Sequence, residues 1–211
     1  MAEHSTIEGV AAPLPISNLD TDQIMPKQFL RGIDKAGLDR GLLYDMRFDP
    51  QGRARPDFVL NRPEYAGCRI LVGGPNFGCG SSREHAVWGL MQFGIRAVVA
   101  PSFGEIFYSN AMNNGLLLAE VEEADALRFM DEVATPGGNR LSIDVAALTV
   151  RSAAHAAAFP MLPMHHRMFL NGWDLVGASV AHDDAIRAFE AAHWRRQPWL
   201  QGVAAKTRAR L

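Results

Sequence analysis

The residues with the clearest chemical potential occupy positions 76–86, where the sequence reads Asn-Phe-Gly-Cys-Gly-Ser-Ser-Arg-Glu-His-Ala. Ser81 and Ser82 place two hydroxyls directly before the guanidinium of Arg83. If a helix begins here, its first N–H groups are unpaired and lie at the positive end of the helix dipole, where anions bind. The stretch therefore predicts a site for a carboxylate or a phosphate.

The flanking sequence predicts a strand before this stretch and a helix after it. Residues 68–72 form a short apolar run of the kind found in buried strands, and apolar residues recur at helical spacing over 86–91. Ser81 and Glu84 have the spacing of a capping box, in which the serine caps an early helical N–H and the glutamate caps the N–H of the serine. We therefore expect a strand, a glycine loop and a helix N-terminus in succession.

The loop residues also allow simpler roles. Gly78 and Gly80 tolerate positive φ angles, so they could serve only a tight turn, and Ser81 could serve only as a helix cap. Cys79 lies near the expected helix N-terminus, a place that favours the thiolate, although the sequence places no histidine base beside it. His85 would lie either close to the site or packed in the first turn of the helix. The residues alone leave these alternatives open.

The string of residues 76–86 resembles the active-site motif of the swivelling domain of the aconitase superfamily, in the form carried by small subunits of bacterial 3-isopropylmalate dehydratases. Further segments are similar to this family and follow the same order, namely residues 18–30, 100–110, 171–175 and 181–186. The resemblance covers residues 7–195 and implies an α/β fold, the swivelling three-layer β/β/α domain.

In that family an alkylmalate loses water to give an alkylmaleate, which is rehydrated with the hydroxyl on the adjacent carbon, a step of leucine biosynthesis. The resemblance assigns the base to Ser81, acting as an alkoxide, and the binding of a substrate carboxylate to Ser82 and Arg83. The charge of Arg83 and the helix N-terminus are local sources of stabilisation for the alkoxide. Residues expected to support the site are Asp22, Gly78, Cys79, Gly80 and His85.

The departing hydroxide needs a Lewis acid, and the resemblance places a [4Fe-4S] cluster for this purpose on a separate large subunit. This chain has only two cysteines, Cys68 and Cys79, whereas such a cluster takes about four protein ligands, or about three with one open position. His165 and His166 are adjacent and lack the i, i+4 spacing of a helical metal pair. We therefore expect no metal or cofactor in this chain, a large catalytic subunit as its partner and a small dicarboxylate substrate.

A segment over residues 31–57 is rich in glycine and in charges of both signs. It predicts a long, mobile surface loop that acts as a lid, with a solvated insertion as the alternative. Here the family typically has Thr-Arg-Thr-Gly-Phe, whereas this chain has Asp-Lys-Ala-Gly-Leu at 34–38. Lys35 would therefore meet a carboxylate only as a point charge. The substrate stays open between 2-isopropylmalate and another alkylmalate, such as 2-methylmalate, which is related to citraconate.

Length and composition agree with a single domain over residues 1–211, with a basic tail at 196–211. The formal net charge of -2 offers no broad basic face for nucleic acid, and no apolar run approaches the roughly 18 residues that cross a bilayer. Residues 1–10 contain neither a Lys/Arg cluster nor the apolar core of a signal peptide. We expect a cytoplasmic protein that binds neither nucleic acid nor membranes.

The rest of the chain alternates strand and helix patterns, which is typical of a parallel sheet. The pattern predicts strands at 7–16, 96–100 and 116–121, helices at 102–111, 122–133 and 182–195, and a hairpin of 141–145 with 148–151. Ser102 and Glu105 have the spacing of a second capping box, while Gly94 and Gly115 are expected to end helices.

A function of another class is also compatible with these residues. A module without catalytic activity could use the glycine loop to bind a di- or tricarboxylate. Such a module would bind its ligand as an isolated chain, whereas the enzyme would bind weakly or not at all until a partner completes the site.

Overall fold

The computed structural model describes residues 5–30, 36–135 and 137–209. Contacts within the chain divide it into two compact units, Met1–Asp174 and Leu175–Leu211. The strands of the first unit are β1 (Thr6–Leu14), β2 (Ile70–Gly73), β3 (Ala97–Ala100), β4 (Leu117–Glu120), β5 (Arg140–Asp144), β6 (Thr149–Arg151) and β7 (Ala156–Ala158). They form one sheet in the order β4-β3-β2-β1-β5-β6-β7.

The parallel half of the sheet consists of β1 to β4. β2 and β3 are buried along their whole length, so they read as continuous apolar runs rather than as alternating patterns. In the register of this half, Leu71 of β2 lies between Ala12 of β1 and Val98 of β3. The alternation of strands and helices expected from the sequence is thus confirmed.

The antiparallel half begins on the same strand, β1. Residues Thr6–Val10 pair antiparallel with β5, whereas Ala11–Leu14 pair parallel with β2. The predicted hairpin is confirmed as β5 and β6, and β7 adds an antiparallel strand that the sequence pattern did not predict. β7 consists of three alanines, which lack the β-branched side chains that usually mark a strand.

The helices of the first unit are α1 (Thr21–Ile24), α2 (Tyr44–Arg47), α3 (Glu84–Phe93), α4 (Glu105–Asn114), α5 (Glu123–Ala134) and α6 (Pro163–Asn171). Single 3-10 turns lie at Lys27–Phe29, Leu38–Gly41, Val59–Asn61 and Pro63–Tyr65. α3 and α4 end at Gly94 and Gly115, whose φ angles of 115° and 78° are left-handed, as predicted.

Both predicted capping boxes are wrong. α3 begins at Glu84 with Arg83 as its N-cap residue, and the Glu84 carboxylate accepts a hydrogen bond of 2.6 Å from Asn114 Nδ2. α4 has Gly104 as its N-cap residue, and the Ser102 hydroxyl accepts a hydrogen bond of 2.8 Å from the backbone N–H of Asn76. The Glu84 and Ser102 side chains thus bind distant segments instead of their own helix ends, which local spacing does not reveal.

The expected surface loop at 31–57 is also wrong in part. Residues 31–35, and with them Lys35, lie outside the described residues, but Leu38, Leu42 and Leu43 are at most 5% exposed. The backbone N–H of Leu38 donates to Gln92 Oε1 of α3 at 2.9 Å. These leucines join the core, so this part of the segment packs against the scaffold, while residues 50–57 are exposed.

The second unit consists of helices joined by short turns in its described part, residues 175–209. It consists of α7 (Leu175–Val180), α8 (Asp183–Arg196), a 3-10 turn at Pro198–Leu200 and α9 (Val203–Arg208). α8 confirms the helix predicted near the C-terminus. No described residue of this unit is buried. Among the described helices of both units, none combines the length and apolar character that a membrane crossing requires.

Candidate active site

Three loops meet at the carboxyl edge of the parallel strands, where ligands bind in open α/β sheets. They follow β1, β2 and β3, and they continue the pairing of those strands through isolated bridges between Asp20 and Cys79 and between Phe77 and Phe103. The N–H of Gly78 donates to the carbonyl of Leu19 at 2.7 Å. The loop predicted to bind an anion is therefore held by its neighbours on both sides.

Glycine is required at one point of this loop for two reasons. Gly78 has a φ of 75°, which disfavours side chains, and an added Cβ would lie 2.3 Å from the ring of Phe107. Gly104, on the loop after β3, also leaves no room for a side chain, since an added Cβ would lie 2.6 Å from the carbonyl oxygen of Gly78. The close approach of backbone to aromatic ring fixes the height of the loop above α4.

Two asparagines join the loops after β1 and β2. Asn18 and Asn76 have positive φ angles of 55° and 58°, a conformation that asparagine adopts more readily than most residues. Asn76 Nδ2 donates to Asn18 Oδ1 at 2.8 Å. Sequence reasoning missed this pair, because neither its conformation nor its contact is visible in the local pattern.

Ser81, the predicted base, is held by a residue that sequence reasoning did not select. Thr21, at the start of α1, is 1% exposed, and its Oγ1 lies 2.9 Å from Ser81 Oγ. The backbone N–H of Ser81 also donates to Thr21 Oγ1 at 3.2 Å. Ser81 itself is exposed. The only available signal for Thr21 was its place in the segment 18–30 that resembles the family's N-terminal signature.

Arg83 pairs with Asp22, one of the residues expected to support the site. Arg83 Nη1 forms an ion pair with Asp22 Oδ1, and this buried nitrogen has no partner with hydrogen-bond geometry among the described residues. Lys27 Nζ lies 3.6 Å from the other oxygen of Asp22. Asp22 thus holds the guanidinium beside the loop, and a substrate carboxylate that binds Arg83 would share it with Asp22.

The remaining predicted residues lie on the glycine loop or at the start of α3. His85 packs its ring against Trp88 at 4.7 Å between centroids, which agrees with packing in the first turn of α3. Cys79 Sγ donates to the carbonyl of Asn18 at 3.3 Å. Ser82 is exposed, and its carbonyl accepts from Asn110 Nδ2 at 3.5 Å. The structure brings these residues together at one edge, while Lys35 lies outside the described part of the chain.

The start of α3 is fixed by a polar network that reaches α4. Asn114 Nδ2 donates to Glu84 Oε1 at 2.6 Å, and Asn114 Oδ1 accepts from Trp88 Nε1 at 3.0 Å. Both polar atoms of the Asn114 side chain are therefore hydrogen-bonded to α3, and these bonds hold the first turn of α3 at a fixed distance from α4. The N–H groups of that turn consequently have a fixed direction, which is what an anion site requires.

The cysteines do not form a ligand set for an iron-sulfur cluster. Cys68 is 1% exposed, and burial raises the pKa of its thiol to about 12, as suits a small buried apolar residue. Cys79 lies on the glycine loop, and both cysteines are free. Across the described residues, no three His, Cys, Asp or Glu side chains are grouped to hold a metal ion. A [4Fe-4S] cluster therefore does not fit the residues of this chain that the structure describes.

A mixed sheet with a Gly-x-Gly-Ser-Ser-Arg loop at its carboxyl edge defines the class of the protein as a swivelling domain of the aconitase type. The family model described as the Aconitase C-terminal domain matches residues 1–124, more than half of the chain. A second model, which describes the C-terminal domain of the 3-isopropylmalate dehydratase small subunit, matches residues 177–203. The two matches fall in the two units of the structure.

The chain belongs to the family of 3-isopropylmalate dehydratase small subunits. It is 64% identical over 211 residues to 3-isopropylmalate dehydratase small subunit 1 of Chromobacterium violaceum, and the alignment covers 100% of both chains. It is 48% identical over 204 residues to the 3-isopropylmalate dehydratase small subunit of Phenylobacterium zucineum, covering 96% of this chain and 100% of the relative. The family resemblance seen in the sequence is confirmed.

A solved structure supports the same fold. The crystal structure of 3-isopropylmalate dehydratase (leuD) from Methanocaldococcus jannaschii matches with a TM-score of 0.62 and 28% sequence identity. The match covers 88% of this chain and 99% of that chain. The predicted fold class, an α/β swivelling domain, is thereby confirmed.

Proposed function

We propose that this chain is the small subunit of a two-chain hydro-lyase that interconverts 2-isopropylmalate and 3-isopropylmalate in leucine biosynthesis, with Ser81 as the base. The observation that carries the role of Ser81 is that this exposed residue has its hydroxyl held by Thr21, beside Arg83 and the N-terminus of α3. The names of relatives that match along the full chain favour isopropylmalate over another alkylmalate, and favour an enzyme over a binding module without activity.

The reaction divides between the two chains. Ser81 Oγ, as an alkoxide, takes the proton from the carbon next to a substrate carboxylate, while hydroxide leaves the neighbouring carbon and 2-isopropylmaleate forms. Water then adds to the double bond with the opposite orientation, and Ser81 returns the proton. The departing hydroxide needs a Lewis acid, and no three His, Cys, Asp or Glu side chains of the described residues are grouped to hold a metal ion. We assign this role to the large subunit, where the family resemblance places a [4Fe-4S] cluster that would act as the Lewis acid.

The residues around Ser81 would bind the substrate and stabilise charge. Arg83 offers a planar guanidinium suited to a carboxylate, and Asp22 holds it in place through an ion pair. Ser82 is exposed next to Arg83 and would contribute a second contact. The N-terminus of α3 adds positive potential, which becomes stronger when the partner excludes water from the loop. Lys35 remains a predicted contact between the lid and a substrate carboxylate.

The expected compartment of the protein is the cytoplasm.

The test uses the chain together with a large subunit from the same organism, both purified without oxygen. Formation of the conjugated double bond is followed by ultraviolet absorbance with 2-isopropylmalate and, separately, with 2-methylmalate. We expect turnover of 2-isopropylmalate only when both chains are present. A preference for 2-methylmalate would mean that 2-isopropylmalate is not the substrate. Binding of dicarboxylates by the isolated chain without any turnover would favour a binding module without catalytic activity.

A further inference from the structure

The hydroxyl of Thr21 is buried where the local helix does not need it. Thr21 is the first residue of α1, and it is the one buried polar residue among those that the structure describes. The helix N-terminus is already capped by Asp20, whose Oδ1 accepts from the N–H of Gln23 at 2.7 Å while Gln23 Oε1 accepts from the N–H of Asp20 at 3.0 Å. The Thr21 hydroxyl is therefore available for another partner.

That partner is Ser81, which meets Thr21 Oγ1 through three of its atoms. The backbone N–H of Ser81 donates to Thr21 Oγ1 at 3.2 Å, and this direction is fixed because an amide nitrogen only donates. Thr21 Oγ1 also lies 3.3 Å from the carbonyl oxygen and 2.9 Å from Oγ of Ser81. A hydroxyl has a single hydrogen, so Thr21 can donate to only one of these two oxygens at a time.

The geometry allows two arrangements, which differ in the direction of the Thr21 hydroxyl hydrogen and in whether Ser81 donates to Thr21. In the first, Thr21 donates to the Ser81 carbonyl, and the Ser81 hydroxyl donates to Thr21 Oγ1. In the second, Thr21 donates to Ser81 Oγ, which then acts only as an acceptor. The first arrangement suits a protonated serine, and the second suits an alkoxide, because a hydrogen bond to a charged oxygen is about twice as strong as a neutral one.

We propose that Thr21 is a positioning residue that holds Ser81 Oγ and donates a hydrogen bond to it whenever Ser81 is deprotonated. This inference rests on the proposed role of Ser81 as the base. When Ser81 takes a proton from substrate, the Thr21 hydrogen turns to the Ser81 carbonyl, and it turns back when the proton is returned. Within the pair of Thr21 and Ser81 only hydrogens change place, so α1 and the loop keep their positions through the reaction.

The experiment compares Thr21→Val, which keeps the shape but removes the hydroxyl, with Thr21→Ser, which keeps the hydroxyl. Both are assembled with the large subunit. Thr149→Val is the matched control, since its buried Oγ1 has no hydrogen-bond partner among the described residues. For Thr21→Val we expect kcat to fall about 10²-fold, as for loss of one oxyanion donor, with KM changed less than about threefold. Thr21→Ser and Thr149→Val should stay within about fivefold of the wild type.

A further variant separates a role through Ser81 from a purely structural one. In the Ser81→Ala background, Thr21→Val should cause no additional loss of kcat, because the two residues act as a unit. Equal kcat for Thr21→Val and the wild type would overturn the inference, as would a loss in Thr21→Ser as large as that in Thr21→Val. If Thr21→Val and Thr21→Ala both fail to fold or to bind the large subunit, the hydroxyl is structural and the inference is wrong. Absence of turnover in the wild-type pair would instead refute the proposed function.

Discussion

The glycine loop of residues 74–83 and the C-terminal unit of residues 175–209 differ in how tightly their residues are packed. The loop is bonded to neighbouring loops on both sides, and Gly78 lies directly on the ring of Phe107. No described residue of the C-terminal unit is buried, and Phe189 is 72% exposed. One region is positioned by a close-packed core, whereas the other has helices without a core of their own.

This difference shows where precision is needed. A site that holds reacting groups must keep them within fractions of an ångström, and rigid elements with packed neighbours supply that precision. Helices with exposed apolar side chains bury little surface, so their side chains contribute little to the folding free energy of the isolated chain. Substitutions in the two regions should therefore have very different effects on unfolding.

The largest contrast is expected between two phenylalanines. Phe107 on α4 is 1% exposed and supports the loop, so Phe107→Ala should lower the free energy of unfolding by about 3 to 5 kcal/mol. Phe189→Ala on α8 is the matched substitution and should change it by less than about 0.5 kcal/mol. Denaturant unfolding of the full chain measures both values. Similar losses for the two variants would show that α8 is packed as tightly as the loop scaffold.

A smaller contrast is expected between two glycines of similar backbone conformation. Gly78 has a φ of 75° and Gly67 one of 70°, but a Cβ at Gly67 would meet nothing within 4 Å. Gly67→Ala should therefore cost only the backbone strain, about 1 kcal/mol, whereas Gly78→Ala adds overlap with Phe107 and should cost about 3 kcal/mol. Thermal unfolding of both variants measures the two losses of stability. Equal losses would mean that the loop moves freely to avoid the overlap with Phe107.

The smallest expected effect is a difference in chemical reactivity between the two native cysteines, Cys68 and Cys79. Because burial raises the pKa of Cys68 to about 12, only about one thiol in ten thousand is ionised at pH 8, and the group is also shielded. Cys79 lies partly exposed on the loop. Iodoacetamide should thus modify Cys79 first in the native chain, as mass spectrometry of peptides would detect. Early modification of Cys68 would contradict the burial of this residue before β2.

Local patterns predicted the parallel half of the sheet, because β2 and β3 are apolar runs, each followed by a helix, and Gly94 and Gly115 end those helices. The family resemblance supplied Ser81 and Arg83. Contacts between distant segments were not predictable. Ser81 and Ser102 look like helix caps in sequence, but Ser81 contacts Thr21 of α1 and Ser102 binds the loop after β2.

Two further parts of the structure depend on information that a local pattern lacks. Thr21 has no local mark of importance, since its partner lies 60 residues further along the chain. The leucines at positions 38, 42 and 43 stand among charged residues and glycines, so the composition indicates a surface loop although these apolar side chains reach the core. Burial depends on tertiary packing, which overrides composition in a short segment.

The central claim is that Ser81 is the base in a site completed by a second chain. Its most direct test is kcat for 2-isopropylmalate with Ser81→Ala assembled with the large subunit, beside Ser142→Ala on β5 as a control in the antiparallel half. We predict a fall of about 10³-fold for Ser81→Ala, with KM within about threefold of the wild type and no change for Ser142→Ala. A Ser81→Ala enzyme that binds the large subunit normally and keeps kcat within about threefold would contradict the account.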